Sequence, residues 1–149
     1  MPQRLVAGDF RAGRPALKIY FDASALVKRY GAEPGSDAVR DAMAEAQGWY
    51  MCRAGFVETV GAIGLALGAR AIETVKDEWL SFSIVEVDQA LVEHAAALAL
   101  NRDLRRLDSL HLASPLVLPC DDLTSATWDH RLHAAAGAEV LALIPGAMD

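Results

Sequence analysis

Four acidic residues, Asp22, Glu58, Asp108 and Asp129, stand where a predicted strand meets a helix or on a short predicted helix. They are far apart along the chain, but an α/β fold can bring them together. Two carboxylates about 4 Å apart repel each other by about 4 kcal/mol at an effective dielectric near 20, so a cluster of four requires a cation. Oxygen-rich sites suit hard divalent ions, and we therefore expect Mg²⁺ or Mn²⁺.

Simpler roles exist for each of these residues. Asp22, Asp108 and Asp129 could each cap the helix that follows, and Glu58 could be a surface charge. Two hydroxyl residues stand beside the acidic ones. Ser24 and Thr127 could hydrogen-bond a metal-bound water or a ligand carboxylate, although Ser24 could also be an ordinary helix-start residue. His111, one helical turn after Asp108, is more typical of a packed, hydrogen-bonded histidine than of a general base.

The elements that must position these residues are short apolar strands separated by helices. Strands are predicted at 17–21, 49–52, 84–87, 125–127 and 139–144, and helices at 23–30, 37–47, 54–68, 71–82, 89–101, 107–118 and 130–136. This alternation predicts an α/β fold with a parallel sheet covered on both faces by helices, a three-layer α/β/α arrangement. Ligands of such sheets collect beyond the carboxyl ends of the strands, where Asp22 and Asp129 are expected.

Several local signals mark element boundaries. Ser36 is a candidate N-cap, and Gly137 is predicted to stop the helix that starts at residue 130. Pro115 removes a backbone donor, so the helix that begins near residue 107 is predicted to kink or end near Ser114. Gly61 and Gly64 lie inside a predicted helix, which suggests close packing of another helix there.

Composition limits the possible classes of protein. A chain of 149 residues is expected to form one domain, here 17–149 after a flexible leader at 1–16. The net charge is −6, so the chain lacks the excess of basic residues that is typical of nucleic-acid binders. Two cysteines without a metal-type spacing favour reduced thiols and a cytoplasmic location. No apolar stretch is long enough for a membrane span.

Three segments together resemble the PIN-domain nucleases. Residues 19–28 (IYFDASALVK) resemble the opening of that family, and 107–113 (LDSLHLA) and 127–132 (TWDHRL) resemble its third and fourth acidic motifs. Glu58 takes the second acidic place. The likeness runs from about residue 17 to 144, and the compact form is most similar to VapC-type toxins of prokaryotic toxin–antitoxin pairs. The resemblance implies a PIN-like fold and metal-dependent endoribonuclease activity.

The resemblance also implies roles. Asp22 and Asp108 are expected as direct ligands of Mg²⁺ or Mn²⁺, Asp129 as a ligand directly or through water, and Glu58 as a holder of a second ion or of the attacking water. An RNA substrate, a cognate antitoxin and a homodimer follow from the family. The antitoxin helix is expected in an apolar groove formed by the predicted helices 37–47 and 54–68. Arg105 and Arg106 are candidate phosphate contacts.

Two alternatives stay open from the residues alone. Pro115 and the acidic balance would also fit a binding or regulatory protein that kept the fold and lost the chemistry. A metal-dependent phosphatase or phospho-receiver also carries acidic residues at strand ends. A receiver needs a lysine near a later strand end, and no lysine follows Lys76.

Overall fold

The protein was analysed as a computed structural model that describes residues 17–120 and 122–148. The predicted leader at 1–16 lies outside the described residues. Five strands form one sheet: β1 (Lys18–Phe21), β2 (Gly48–Cys52), β3 (Ser83–Val85), β4 (Leu123–Ala126) and β5 (Ala142–Ile144). Seven described helices connect them: α1 (Ala23–Tyr30), α2 (Ser36–Glu45), α3 (Gly55–Leu67), α4 (Ala69–Trp79), α5 (Gln89–Arg102), α6 (Arg106–Val117) and α7 (His130–Ala138).

The sheet is fully parallel, in the order β3-β2-β1-β4-β5. The chain builds outward from β1 through β2 to β3 and then crosses to the other side of β1 for β4 and β5. The strand order therefore reverses between β1 and β4, where Lys18 pairs with Leu123 and Phe21 with Ala126. The connections leaving two such neighbours diverge to opposite faces and leave a crevice at their carboxyl ends.

Each face of the sheet carries its own hydrophobic core, because successive strand residues point to opposite sides. Tyr20 and Cys52 face α5, α6 and α7, whereas Ile19, Phe21 and Met51 face α1 and α2. All five are at most 1% exposed. The predicted three-layer α/β/α class is confirmed.

The N-cap prediction for Ser36 is wrong. Gly35 is the N-cap of α2, with φ at 93°, and Ser36 is the first helical residue. The Ser36 hydroxyl instead donates to the Gly31 carbonyl and accepts from the Glu33 amide, both at 3.1 Å. Glycine is required at position 35 because a Cβ there would lie 2.9 Å from the Trp128 ring, and because the backbone is left-handed.

The prediction that helix α6 ends near Ser114 is wrong, because the helix continues through Pro115 to Val117. Pro115 lies in the last turn of α6. It therefore removes one backbone hydrogen bond and does not interrupt a long series of them. Leu112, Ala113, Ser114 and Pro115 are all buried against the sheet, and this packing outweighs the local penalty.

The glycine signals in two other helices had mixed outcomes. Helix α7 runs past Gly137 to Ala138, so the predicted start of the last strand at residue 139 is wrong; β5 begins at Ala142. In α3, a Cβ at Gly64 would lie 2.9 Å from Cδ1 of Ile72 in α4, as close packing predicts. No described atom lies within 4 Å of a Cβ at Gly61, so that glycine has no packing reason.

Candidate active site

All four predicted carboxylates lie at or within the first turn of a helix. Asp22 is the N-cap of α1 and Asp129 the N-cap of α7, whereas Glu58 and Asp108 lie in the first turns of α3 and α6. Helix N-termini carry partial positive charge and favour anions. This placement explains how the fold stabilises the four acidic side chains.

Asp22 is the most buried of the four, at 4% exposure. Its Oδ1 accepts hydrogen bonds from the Ser24 hydroxyl at 2.7 Å and the Ala25 amide at 2.9 Å. Its Oδ2 accepts from the Thr127 hydroxyl at 2.5 Å. Capping and site roles are therefore compatible, because Oδ1 caps α1 while Oδ2 faces the residues that follow β4.

Burial raises the pKa of the Asp22 carboxyl, since removal from water disfavours the charged form. Nearby His111 and the hydrogen bonds from Thr127, Ser24 and Ala25 act in the opposite direction, without cancelling it. A buried carboxylate with neutral hydroxyl partners gains from a nearby cation. The electrostatics of this position therefore suit a metal ligand.

The Thr127 and Ser24 hydroxyls link the residues that follow β1 to those that follow β4. The Thr127 Oγ1 atom accepts from the Asp129 amide at 3.1 Å while its hydroxyl donates to Asp22. The Ser24 Oγ atom accepts from the Trp128 amide at 2.9 Å and donates to Asp22. These two hydroxyls fix the distance between Asp22 and the backbone that carries Asp129.

Asp108 and Asp129 share one cation, the guanidinium of Arg105. Arg105 donates from Nε to Oδ2 of Asp108 at 3.2 Å and from Nη2 to Oδ2 of Asp129 at 2.9 Å. Both carboxylates are partly buried, whereas the Arg105 side chain is 69% exposed. The hydrogen bond and charge of Asp108, with the charge of Asp129, raise the pKa of Arg105.

Glu58 is held from the opposite side by a buried relay. Its Oε1 lies 2.6 Å from Nε2 of His111, and Nδ1 of His111 lies 2.7 Å from the Tyr20 hydroxyl. The Tyr20 oxygen also accepts from the Cys52 amide at 3.1 Å. Tyr20 and His111 are buried, at 0% and 3% exposure.

A neutral His111 satisfies the donors and acceptors of this relay. A carboxylate only accepts, so His111 donates from Nε2 to Glu58, and its Nδ1 then accepts from the Tyr20 O–H. Burial raises the pKa of Tyr20 well above its ordinary value, so the phenol keeps the proton that it donates. His111 is thus a packed, hydrogen-bonded residue, as expected, and it orients Glu58.

Asp22 with its hydroxyl partners, the Asp108–Asp129 pair and the Glu58 relay are neighbours. They do not form a complete metal-binding site. Within residues 17–120 and 122–148, no three His, Cys, Asp or Glu side chains stand close enough together to hold a metal ion. The donor set nevertheless fits a hard divalent ion, because it consists of carboxylate and hydroxyl oxygens. A guanidinium already lies between Asp108 and Asp129, so that pair accommodates positive charge.

Sequence reasoning missed two features of this region. Tyr20 looked like an ordinary strand residue, although a tyrosine in an otherwise aliphatic buried strand must find a hydrogen-bond partner. Arg105 was expected to contact phosphate, but its partners here are the two carboxylates. Arg106 lines a groove of about 500 Å³ between α5 and α6, with Val92 and Leu110 among its neighbours, and a phosphate contact by Arg106 stays a prediction.

Comparison with known proteins agrees with this fold. The family model described as PIN domain matches residues 19–136. Ribonuclease VapC49 of Mycobacterium tuberculosis is 31% identical over 140 residues, which cover 88% of this chain and 97% of that protein. Ribonuclease VapC46 of the same species is 31% identical over 126 residues, covering 85% and 95%.

Solved structures show the same fold at low sequence identity. The crystal structure of Mycobacterium tuberculosis VapC20, described as a sarcin-ricin loop cleaving toxin, matches with a TM-score of 0.68 and 16% identity, covering 78% of this chain and 94% of that one. These matches share the fold described above. The chain belongs to the PIN-domain family, among relatives that carry the name ribonuclease VapC.

Proposed function

We propose that this protein is a metal-dependent endoribonuclease, and that it is the toxin of a type II toxin–antitoxin pair. The observation that carries the proposal is membership of the PIN-domain family, and the positions of Asp22, Glu58, Asp108 and Asp129 at helix N-termini support it. The names of the curated relatives, which are ribonucleases, support the reaction.

Asp22, Asp108 and Asp129 would hold Mg²⁺ or Mn²⁺, with Glu58 beside a second ion or the attacking water. When bound, such an ion neutralises phosphodiester charge and lowers the pKa of a water molecule. Oδ1 of Asp22 and Oδ1 of Asp129 are engaged by helix-capping amides. The Oδ2 atom of each residue has no described amide partner and accepts from the Thr127 hydroxyl in Asp22 and from Arg105 in Asp129. Because a carboxylate oxygen has a second lone pair, each Oδ2 would also be able to bind an ion.

The chain's own residues position the reacting groups. Ser24 and Thr127 hold the Asp22 carboxylate in one orientation. His111 occupies Oε1 of Glu58, which leaves Oε2 to orient a water towards the scissile phosphate. Arg105, at the mouth of the site, would contact an RNA phosphate, since arginine matches phosphate geometry.

The expected partners are RNA, a cognate antitoxin and a second copy of the chain. A solved toxin–antitoxin complex from Klebsiella pneumoniae matches this fold with a TM-score of 0.63 and 17% identity, covering 91% of this chain and 97% of that one. Helix α1 packs against both α2 and α3, and Val57 and Leu65 of α3 are 75% and 93% exposed. These apolar side chains support the expected site for an antitoxin helix.

We place the protein in the cytoplasm. Both cysteines, Cys52 and Cys120, are free thiols, which suits a reducing compartment. Among the described residues, no helix is both long enough and apolar enough to cross a bilayer.

The test is cleavage of a labelled RNA by the purified protein with Mg²⁺, Mn²⁺ or EDTA. Asp22→Asn and Asp108→Asn should each abolish the metal-dependent cleavage, because each keeps side-chain shape and removes a ligand charge. Asp41→Asn is the matched control, since Asp41 is an exposed residue of α2. Equal activity of wild type and both site variants would reject the nuclease and favour the alternative, a binding or regulatory protein of the same fold.

A further inference from the structure

Arg105 hydrogen-bonds one oxygen of each of two predicted metal ligands, Asp108 and Asp129. In Asp129, Oδ1 accepts from the Leu132 amide at 2.9 Å and Oδ2 accepts from Arg105 at 2.9 Å. On Asp108 it is again Oδ2 that accepts from Arg105. The guanidinium and a divalent ion are both cations attracted to these two carboxylates, so they compete for them.

The Arg105 side chain serves no other described partner. Arg105 is the N-cap of α6, but its side chain makes no capping hydrogen bond. It is the most exposed member of the ion-paired group, at 69% against 15% for Asp108 and 23% for Asp129. Exposed ion pairs are weak and are screened by salt, so this contact can be exchanged readily.

Without Arg105, the two carboxylates would lie near each other with no described counter-ion. The guanidinium suits this position because its planar fork donates from Nε and Nη2 to two different acceptors. A lysine ammonium is a compact point charge and reproduces this geometry less well.

We propose that Arg105 is a built-in counter-ion that keeps Asp108 and Asp129 paired in the metal-free protein and is displaced when a divalent ion binds. This inference rests on the proposed function, because it takes Asp108 and Asp129 as metal ligands. The displaced guanidinium stays at the mouth of the site, where it can meet an RNA phosphate. Metal binding and substrate contact are thereby coupled through one side chain.

The experiment measures Mn²⁺ affinity by calorimetry, without RNA, in wild type and Arg105→Ala. Removal of the competing cation should tighten Mn²⁺ binding by about threefold or more, a size consistent with two weak ion pairs. Arg105→Lys should fall between the two. Arg70→Ala, an exposed arginine of α4, changes net charge equally and should leave the affinity unchanged.

A second measurement does not depend on any variant. In wild type, titration with diamagnetic Mg²⁺ should shift the Arg105 Nε–H resonance and speed its exchange with water, because the side chain leaves Asp108. An unmoved Arg105 resonance under saturating Mg²⁺, or equal or weaker Mn²⁺ binding by Arg105→Ala, would overturn the inference. Absence of metal binding in every protein would overturn the proposed function along with it.

Discussion

The two halves of the candidate site are held together in different ways. The Asp22 half is buried and fixed by neutral donors, namely the Ser24 and Thr127 hydroxyls and the Ala25 amide. The Asp108–Asp129 half lies nearer to solvent and is held by the exposed guanidinium of Arg105. One half is a rigid part of the sheet edge, and the other depends on a removable charge.

This difference indicates how a site of this kind can be both precise and adjustable. Buried hydrogen bonds hold a ligand in place before anything binds, which reduces the cost of organising the site on binding. Exposed ion pairs contribute little stability and give way to a stronger cation. We expect changes in the buried half to have larger effects than changes in the exposed half.

The largest effect is predicted for Thr127→Val, which keeps side-chain shape but removes the hydroxyl shared by Asp22 and the Asp129 amide. A buried carboxylate loses a donor and a backbone amide loses an acceptor. We expect the free energy of unfolding to fall by about 2 kcal/mol, and Mn²⁺ affinity to fall by about 10-fold to 100-fold. Urea denaturation and calorimetry measure the two quantities.

Thr74→Val makes the same chemical change on the exposed surface of α4, where the hydroxyl has a long, weak bond to a carbonyl of its own helix. It should leave both quantities nearly unchanged. If the two threonine variants lost equal stability, the hydroxyl of Thr127 would not hold the buried half, and the contrast between the halves would disappear.

Tyr20→Phe should have the next largest effect. The change removes the hydroxyl that accepts from the Cys52 amide and binds Nδ1 of His111, while the ring still fills its place in the core. We expect a loss of about 1 to 2 kcal/mol in unfolding free energy. The ¹⁵N shift of His111 Nδ1 should also change, because this nitrogen no longer accepts a hydrogen bond from Tyr20.

Tyr50→Phe is the matched control, because Tyr50 lies on β2 next to β1 and is only partly buried. A Tyr20→Phe protein with wild-type stability and an unchanged His111 spectrum would show that the phenol does not orient the imidazole. Glu58 would then lose its argued support from the core.

The fold was predictable because its signals are local. Apolar strands such as Ile19–Phe21 are buried on both faces of the sheet. Along the chain, these strands alternate with segments that have helical periodicity. Asp22 and Asp129 could be chosen because the carboxyl ends of parallel strands meet at one edge, whereas Asp108 was chosen because residues 107–113 resemble a PIN-domain motif. Both inferences use sequence position and not side-chain direction.

The contacts within the site were not predictable in this way. The Arg105 pairing with Asp129 spans 24 residues, and the Tyr20 pairing with His111 spans 91. Each depends on where a side chain points after α6 packs on the sheet. Pro115 failed as a helix stop for the same reason, because burial of the last turns of α6 outweighed a local penalty.

Asp22→Asn should stabilise the metal-free protein at neutral pH. Burial raises the folded-state pKa of Asp22 above its unfolded value, so the charged form opposes folding above the folded pKa. As pH falls through the folded pKa towards the unfolded value, that penalty disappears. Asparagine carries no charge and caps a helix about as well as aspartate.

Thermal unfolding in EDTA at a series of pH values tests this prediction. The midpoint of Asp22→Asn should exceed that of wild type at pH 7, and the difference should shrink as pH falls. Asp41→Asn, on exposed α2, should show no such trend. A variant less stable than wild type at pH 7 would mean that the hydrogen bonds to Asp22 outweigh its burial.

The smallest effect is predicted for the stability of Arg105→Ala in the exposed half. The wild-type and variant urea midpoints, measured in EDTA, should differ slightly at low ionic strength. The difference should vanish when salt is raised to about 0.5 M, because the Debye length then falls to a few ångströms. The Thr127→Val difference should persist in the same salt, since its lost contacts are buried and do not depend on mobile ions. If salt left the Arg105→Ala difference unchanged, the guanidinium would be a fixed structural part like the Thr127 hydroxyl, and the two halves would not differ in the way their contacts indicate.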